Sequence, residues 1–168
     1  WLYMGGRGAG KTRSGSEWIH EQVRNGARRI ALVGATAADC RDVMVEGESG
    51  LLATASPMDM PHYEPSRRRL TWKSGAIAST YSAEEPDRLR GPQHDAAWCD
   101  ELAAWRHAAA WPMLLLGLRL GESPRALVTT TPRPTKLVKE LIEQPTTAVT
   151  RGSTYDNREN LAPSFLES

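Results

Sequence analysis

The sequence predicts an α/β fold, a mostly parallel sheet with helices on both faces. Three observations predict it. RRIALVGAT (residues 28–36) and RALVTTTPRP (residues 125–134) are near-continuous apolar runs, the pattern of strands buried on both sides. Between such runs lie segments with apolar residues three and four apart, the spacing of amphipathic helices. The two element types alternate along the chain with no internal repeat, which calls for crossover connections and parallel pairing.

Each element can be read in turn. WLYM (residues 1–4) is a short strand feeding the glycine-rich MGGRGAGKTRSG (residues 4–15). Residues 12–25 read as a helix with Trp18, Ile19, Gln22 and Val23 on one stripe and Gly26 as its stop. After the strand at 28–36, residues 37–46 read as a helix with Val43 and Met44 facing in. Residues 47–65, rich in Gly, Pro, Ser and Met, show no clear period. RRLTWKSGAIASTYS (residues 68–82) reads as a hairpin turning at Lys73, Ser74 and Gly75. AAWCDE (residues 96–101) is a short apolar strand ending in two carboxylates. Residues 103–120 read as a helix broken or offset near Pro112, and the strand at 125–134 is closed by Pro132 and Pro134. Residues 135–143 form a helix with Leu137, Val138, Leu141 and Ile142 on one face. A last strand lies within TTAVTRGSTYDN (residues 146–157), and LAPSFLES (residues 161–168) starts another helix.

The 168 residues suffice for one domain with a real core. A net charge of +1 does not mark a nucleic-acid binder, although arginines cluster at Arg28 and Arg29, at Arg67, Arg68 and Arg69, and at Arg88 and Arg90. Cys40 and Cys99 have neither zinc spacing nor a disulfide framework, and read as small core residues in a reducing compartment. The four histidines form no ligand set. No apolar run is long enough to span a membrane and the start has no signal-peptide layout, while opening on Trp1 suggests a piece of a longer chain.

The chemistry concentrates in three places. Gly5, four residues, then Gly10, Lys11 and Thr12 is the phosphate-loop pattern. Gly6, Gly8 and Gly10 permit left-handed backbone and close approach of N–H groups to phosphate oxygens. Lys11 can reach the β- and γ-phosphates, the Thr12 hydroxyl can bind Mg²⁺, and the following helix adds its N-terminal dipole. The bland alternative is a glycine-rich surface turn. Asp100 at a strand tip can hold the Mg²⁺, and Glu101 directly after it can orient or deprotonate a water. Two acids opening a helix would look the same. Arg7, Arg88 and Arg90 are candidates to stabilise transferring phosphate, or ordinary surface arginines. In TTTP, the hydroxyls of Thr129, Thr130 and Thr131 could sense the γ-phosphate through a water, though threonine is a good strand former anyway.

Together these runs resemble the ATPase domain of a tailed-phage, prophage or gene-transfer-agent terminase large subunit. MGGRGAGKTRSG is similar to that family's phosphate loop, SAEEPDRLRGPQHDAAWCDELAAW (residues 82–105) to its run from an Arg-Gly pair to the acidic strand end, ALVTTTPRPTKLVKEL (residues 126–141) to its coupling motif, and GSTYDNRENLAPSFL (residues 152–166) to its exit into a lid. The resemblance implies a P-loop NTPase of RecA/ASCE-like fold over residues 1–168, with a lid or linker starting at about residue 150. It implies ATP held by Gly5, Gly6, Arg7, Gly8, Ala9, Gly10, Lys11 and Thr12, and Mg²⁺ held by Thr12 and Asp100. Glu101 would be the catalytic carboxylate, with Arg90 acting on a neighbouring subunit's ATP and Arg7 within its own. Thr129, Thr130 and Thr131 would couple hydrolysis to motion. The implied partners are double-stranded DNA, a portal protein, a small terminase subunit and further copies in a ring at the procapsid portal, in the host cytoplasm. The adenine-binding segment and the C-terminal nuclease domain usual in the family have no counterpart in these residues, so no DNA cleavage is expected of them. A helicase-type ATPase uses a similar Asp-Glu strand, and a non-catalytic assembly module or a metabolite kinase stays open at this point.

Overall fold

The computed structural model describes residues 1–161, so all but the first residue of LAPSFLES, with the helix expected there, lies outside them. Among the described residues eight strands form one sheet: β1 (Leu2–Gly5), β2 (Arg29–Gly34), β3 (His62–Glu64), β4 (Arg69–Thr71), β5 (Ile77–Ser82), β6 (Ala96–Asp100), β7 (Arg125–Thr130) and β8 (Val149–Gly152). Their order is β3-β4-β5-β2-β6-β7-β1-β8. From β5 to β8 every pair is parallel, while β3, β4 and β5 are antiparallel. The helices are α1 (Lys11–Arg24), α2 (Ala37–Asp39), α3 (Leu51–Thr54), α4 (Ala110–Gly117) and α5 (Lys136–Glu143).

Alternation along the central strands explains the apolar runs. Ile30 and Leu32 of β2, with Ala96 and Trp98 of β6, join Ile19 and Val23 of α1 on one face. Ala31 and Val33, with Ala97 and Cys99, join Leu114 of α4 and Val138 and Leu141 of α5 on the other. Successive side chains point to opposite faces, so both faces of a covered strand are apolar. Cys40 and Cys99 are free and buried in these cores. Among the described residues no helix is long and apolar enough to cross a membrane.

Several local expectations need correction. The helix expected over 103–120 is only Ala110–Gly117, preceded by a single 3-10 turn at Leu102–Ala104. Trp105 is drawn back instead, its indole Nε1–H donating to the Asp100 carbonyl (2.9 Å). Pro112 does not break α4, because it lies in the first turn, where backbone N–H groups have no intrahelical acceptor. The helix at 37–46 is one α-turn followed by a π-helical stretch, Cys40–Val45, which buries Met44 but leaves Val43 exposed. Ile142 is likewise exposed on α5, and β7 stops at Thr130. The hairpin turn forms as expected, with Gly75 at φ 90°. Within residues 47–65 lie α3 and β3.

Candidate functional site

The phosphate loop leaves β1 at the C-terminal end of the parallel strands, where crossover connections open a crevice. Gly8 (φ 75°) and Gly10 (φ 80°) take the left-handed backbone anticipated for them, Gly6 does not, and Gly10 caps α1. Gly5 answers a different need, since a Cβ there would sit 2.8 Å from that of Ala9. Lys11 is nearly buried, and its ammonium donates to the Gly6 carbonyl (2.8 Å). Thr12 is half-buried on the first turn of α1 and Arg7 is exposed at the loop's crest.

The acidic strand end is not beside β1: β7 lies between them. Register pairs Asp100 with Thr129 and Met4 with Thr130, so the three strand tips are level. Asp100 is buried, and its Oδ1 accepts a hydrogen bond from Thr129 Oγ1 (2.7 Å). Burial raises its pKa to about 6, and the Thr129 bond opposes that rise. Trp98 Nε1–H in turn donates to Thr129 Oγ1 (2.8 Å), fixing the hydroxyl's direction. Glu101 adopts a left-handed backbone at φ 49°, which costs on the order of 1–3 kcal/mol for a residue with a side chain. The surroundings enforce it. Its N–H donates to the Thr129 carbonyl (2.7 Å), and its Oε2 accepts from the N–H (3.3 Å) and hydroxyl (3.1 Å) of Thr131. The kink therefore turns both acids toward β7 and sets Glu101 Oε1 at 3.9 Å from Lys11 Nζ. Thr130 instead accepts from the Ala103 N–H (3.0 Å), closing the turn after Glu101.

The structure thus brings together the loop, Lys11, Asp100, Glu101, Thr129 and Thr131. Arg90 is not among them: it is exposed on the connection ahead of β6, 3.5 Å from Asp87. Arg88 pairs with Glu85 (2.6 Å), and Arg67, Arg68 and Arg69 sit at the antiparallel end of the sheet, with four strands between them and β1. Sequence reasoning missed three residues that grip the loop from outside: Tyr3, Thr154 and Asn157 donate to the carbonyls of Ala9 (2.6 Å), Arg7 (2.7 Å) and Gly8 (2.8 Å). Only the glycine at 152, whose Cβ would meet the Tyr3 hydroxyl at 2.6 Å, hints at that packing in the sequence. The oxygen donors of Thr12 and Asp100 suit a hard divalent cation, and the desolvated Asp100 carboxylate is a charge that such a cation would stabilise. Among the described residues no three His, Cys, Asp or Glu side chains cluster as a metal cage.

Comparison with known proteins gives one pattern. The family model for the terminase large subunit, T4-like-virus type, N-terminal, matches residues 2–168. No curated protein matches the chain. Among solved structures it is similar to an arginine-to-alanine variant of the Thermus phage P74-26 large terminase ATPase domain, at 17% identity and TM-score 0.70, covering 99% of this chain and 80% of that one. It is also similar to the large terminase of a second, thermophilic bacteriophage, at 14% identity and TM-score 0.79, covering 99% of this chain and 43% of that one. The same protein in complex with ATP-γ-S matches at 14% identity and TM-score 0.75, over 99% and 42%. The chain therefore spans most of a terminase ATPase domain and well under half of a whole large terminase. Its fold is that of these large-terminase ATPase domains.

Proposed function

The chain belongs to the terminase large-subunit family, T4-like-virus type, N-terminal part, and from that membership we propose that it hydrolyses ATP to drive double-stranded DNA into a procapsid. The observation that carries the hydrolytic reading is the meeting of Lys11 with the Asp100-Glu101 pair across β7, at the mouth of the phosphate loop. Gly5 to Thr12 bind the triphosphate, with Lys11 offering its charge to the β- and γ-oxygens. Glu101, held by Thr131, orients and deprotonates the attacking water, while Asp100 stays fixed by Thr129. Mg²⁺ held by Thr12 and Asp100 would neutralise charge on the phosphate oxygens. Because one Thr131 hydroxyl holds the Glu101 carboxylate, loss of the γ-phosphate is transmitted to β7 and the segment beyond it.

Arg7 serves within its own subunit and Arg90, on the outer surface, reaches a neighbour's nucleotide in a ring of copies. The portal protein, the small terminase subunit and DNA complete that assembly in the host cytoplasm, with Arg67, Arg68 and Arg69 as the candidate DNA-facing cluster. Residues from about 150 lead into the lid.

Substitution of Glu101 tests the reading directly. Glu101→Gln keeps the size and the Thr131 contacts but removes the base, so turnover falls by 10²-fold or more while ATP-γ-S affinity stays within about threefold. Equal turnover in the variant would remove Glu101 from the mechanism.

A further inference from the structure

The four successive carbonyls of the phosphate loop, Gly6 through Ala9, are all engaged by side-chain donors: Lys11 Nζ, Thr154 Oγ1, Asn157 Nδ2 and Tyr3 OH, at 2.8, 2.7, 2.8 and 2.6 Å. Lys11 belongs to the loop motif itself. The other three come from outside it, and two lie in one turn, Thr154–Asn160, which follows β8. That turn is built to hold its shape, since Ser153 and Asp156 cap it reciprocally (Ser153 N–H to Asp156 Oδ2 2.6 Å, Asp156 N–H to Ser153 Oγ 3.2 Å). β8 is in register with β1, Gly5 opposite Gly152, so the turn emerges directly over the loop. Contact is tight enough that a Cβ on Gly6 would lie 3.1 Å from Thr154 Oγ1.

Every peptide bond here is trans, so each carbonyl points opposite to the N–H of the next residue. Drawing the Arg7 and Ala9 carbonyls outward therefore turns the N–H groups of Gly8 and Gly10 inward. Among the described residues neither finds a protein acceptor, whereas Ala9 N–H makes a 3.3 Å turn bond to Gly6. Inward N–H groups are what a phosphate requires. Without outside donors a loop this rich in glycine would sample many other conformations.

We propose that Tyr3, Thr154 and Asn157 are positioning residues that preset the phosphate loop for nucleotide, so that bound nucleotide and the Thr154–Asn160 turn stabilise each other. This rests on the reading of the loop as a nucleotide site. By linkage, whatever tightens the loop through the turn is matched by nucleotide tightening the turn. The chain leaving β8 is then the route by which nucleotide state reaches residues beyond 160.

The test uses the full chain with ATP-γ-S as probe. Thr154→Val and Tyr3→Phe each delete a donor without changing shape, and a net hydrogen bond lost predicts roughly threefold to tenfold weaker binding. Thr154→Ser restores it. The double variant Thr154→Val with Asn157→Asp raises KM for ATP with kcat within about twofold. In the native chain ATP-γ-S slows hydrogen exchange across residues 153–160, and in the double variant that protection disappears. Native-like affinity in the variants, or no protection in the native chain when it binds ATP-γ-S, overturns the inference alone. A native chain that fails to bind ATP-γ-S overturns the nucleotide-site reading and the inference with it.

Discussion

Replacing Gly15 by Ala sets two effects against each other. Gly15 lies in the middle of α1, where Ala is favoured over Gly by ~1 kcal/mol, so propensity alone predicts a more stable protein. The structure predicts the reverse. A Cβ at residue 15 would overlap the Trp98 indole, meeting its Cε2, Cζ2 and Nε1 atoms far inside the roughly 3.5–4.0 Å of favourable contact. Neither side yields easily. Trp98 is fully buried and tied by Nε1 to Thr129, while α1 is fixed at its start by the phosphate loop and along its length by Ile19 and Val23 in the core. Overpacking a core by one group costs about 1–3 kcal/mol, and this rigid overlap belongs at the upper end. The net expectation is destabilisation by roughly 2 kcal/mol. Turnover suffers as well, because Trp98 directs the Thr129 hydroxyl that holds Asp100. A displacement of about 1 Å at reacting groups can lower the rate by ~10²-fold. Urea denaturation and ATP turnover measure the two arms. Gly15→Ala protein as stable as the native chain, with native turnover, would refute the claim that the missing side chain exists to seat Trp98.

Two further predictions concern other parts of the molecule. His94 is buried against Tyr81 (Nε2 to OH 3.1 Å), and burial lowers its pKa from 6.5 to about 4. The unfolded chain therefore takes up a proton that the folded chain refuses, and stability falls as pH drops from about 6.5 to 4, by roughly 3 kcal/mol. Denaturation at pH 7 and pH 4 should show that slope reduced in His94→Gln, and an unchanged slope would exclude His94 as its source. Arg90→Ala and Glu101→Gln subunits, each inactive alone, should recover part of the turnover when mixed in one assembled ring. A verified mixed ring without recovery would count against action in trans.

The parts legible in the sequence are those whose chemistry is local. MGGRGAGKTRSG carries the phosphate-loop pattern in the spacing of glycines, Lys11 and Thr12, and the apolar runs announce strands covered on both faces. Asp100 and Glu101 at the end of AAWCDE were readable as a candidate pair for the same reason. Residues 103–120 misled because apolar composition suits a helix, whereas a left-handed Glu101 and the return of Trp105 to the Asp100 carbonyl spend those residues on a turn.

What the residues could not announce depends on which distant segments meet. The order β6-β7-β1 places Thr129 and Thr131 between loop and acids, and it follows from how crossovers stack helices on the two faces. Left-handed backbone at Glu101 is imposed by hydrogen bonds to β7, against the intrinsic preference of a glutamate. Thr154 and Asn157 lie almost 150 positions from the carbonyls they hold, and only the β1–β8 register brings them there. Local spacing and side-chain chemistry alone determined that this chain carries a phosphate loop in an α/β sheet. The tertiary structure decided which hydroxyls aim its carboxylates and which segment grips its loop, because those interactions act between residues that sequence distance says nothing about.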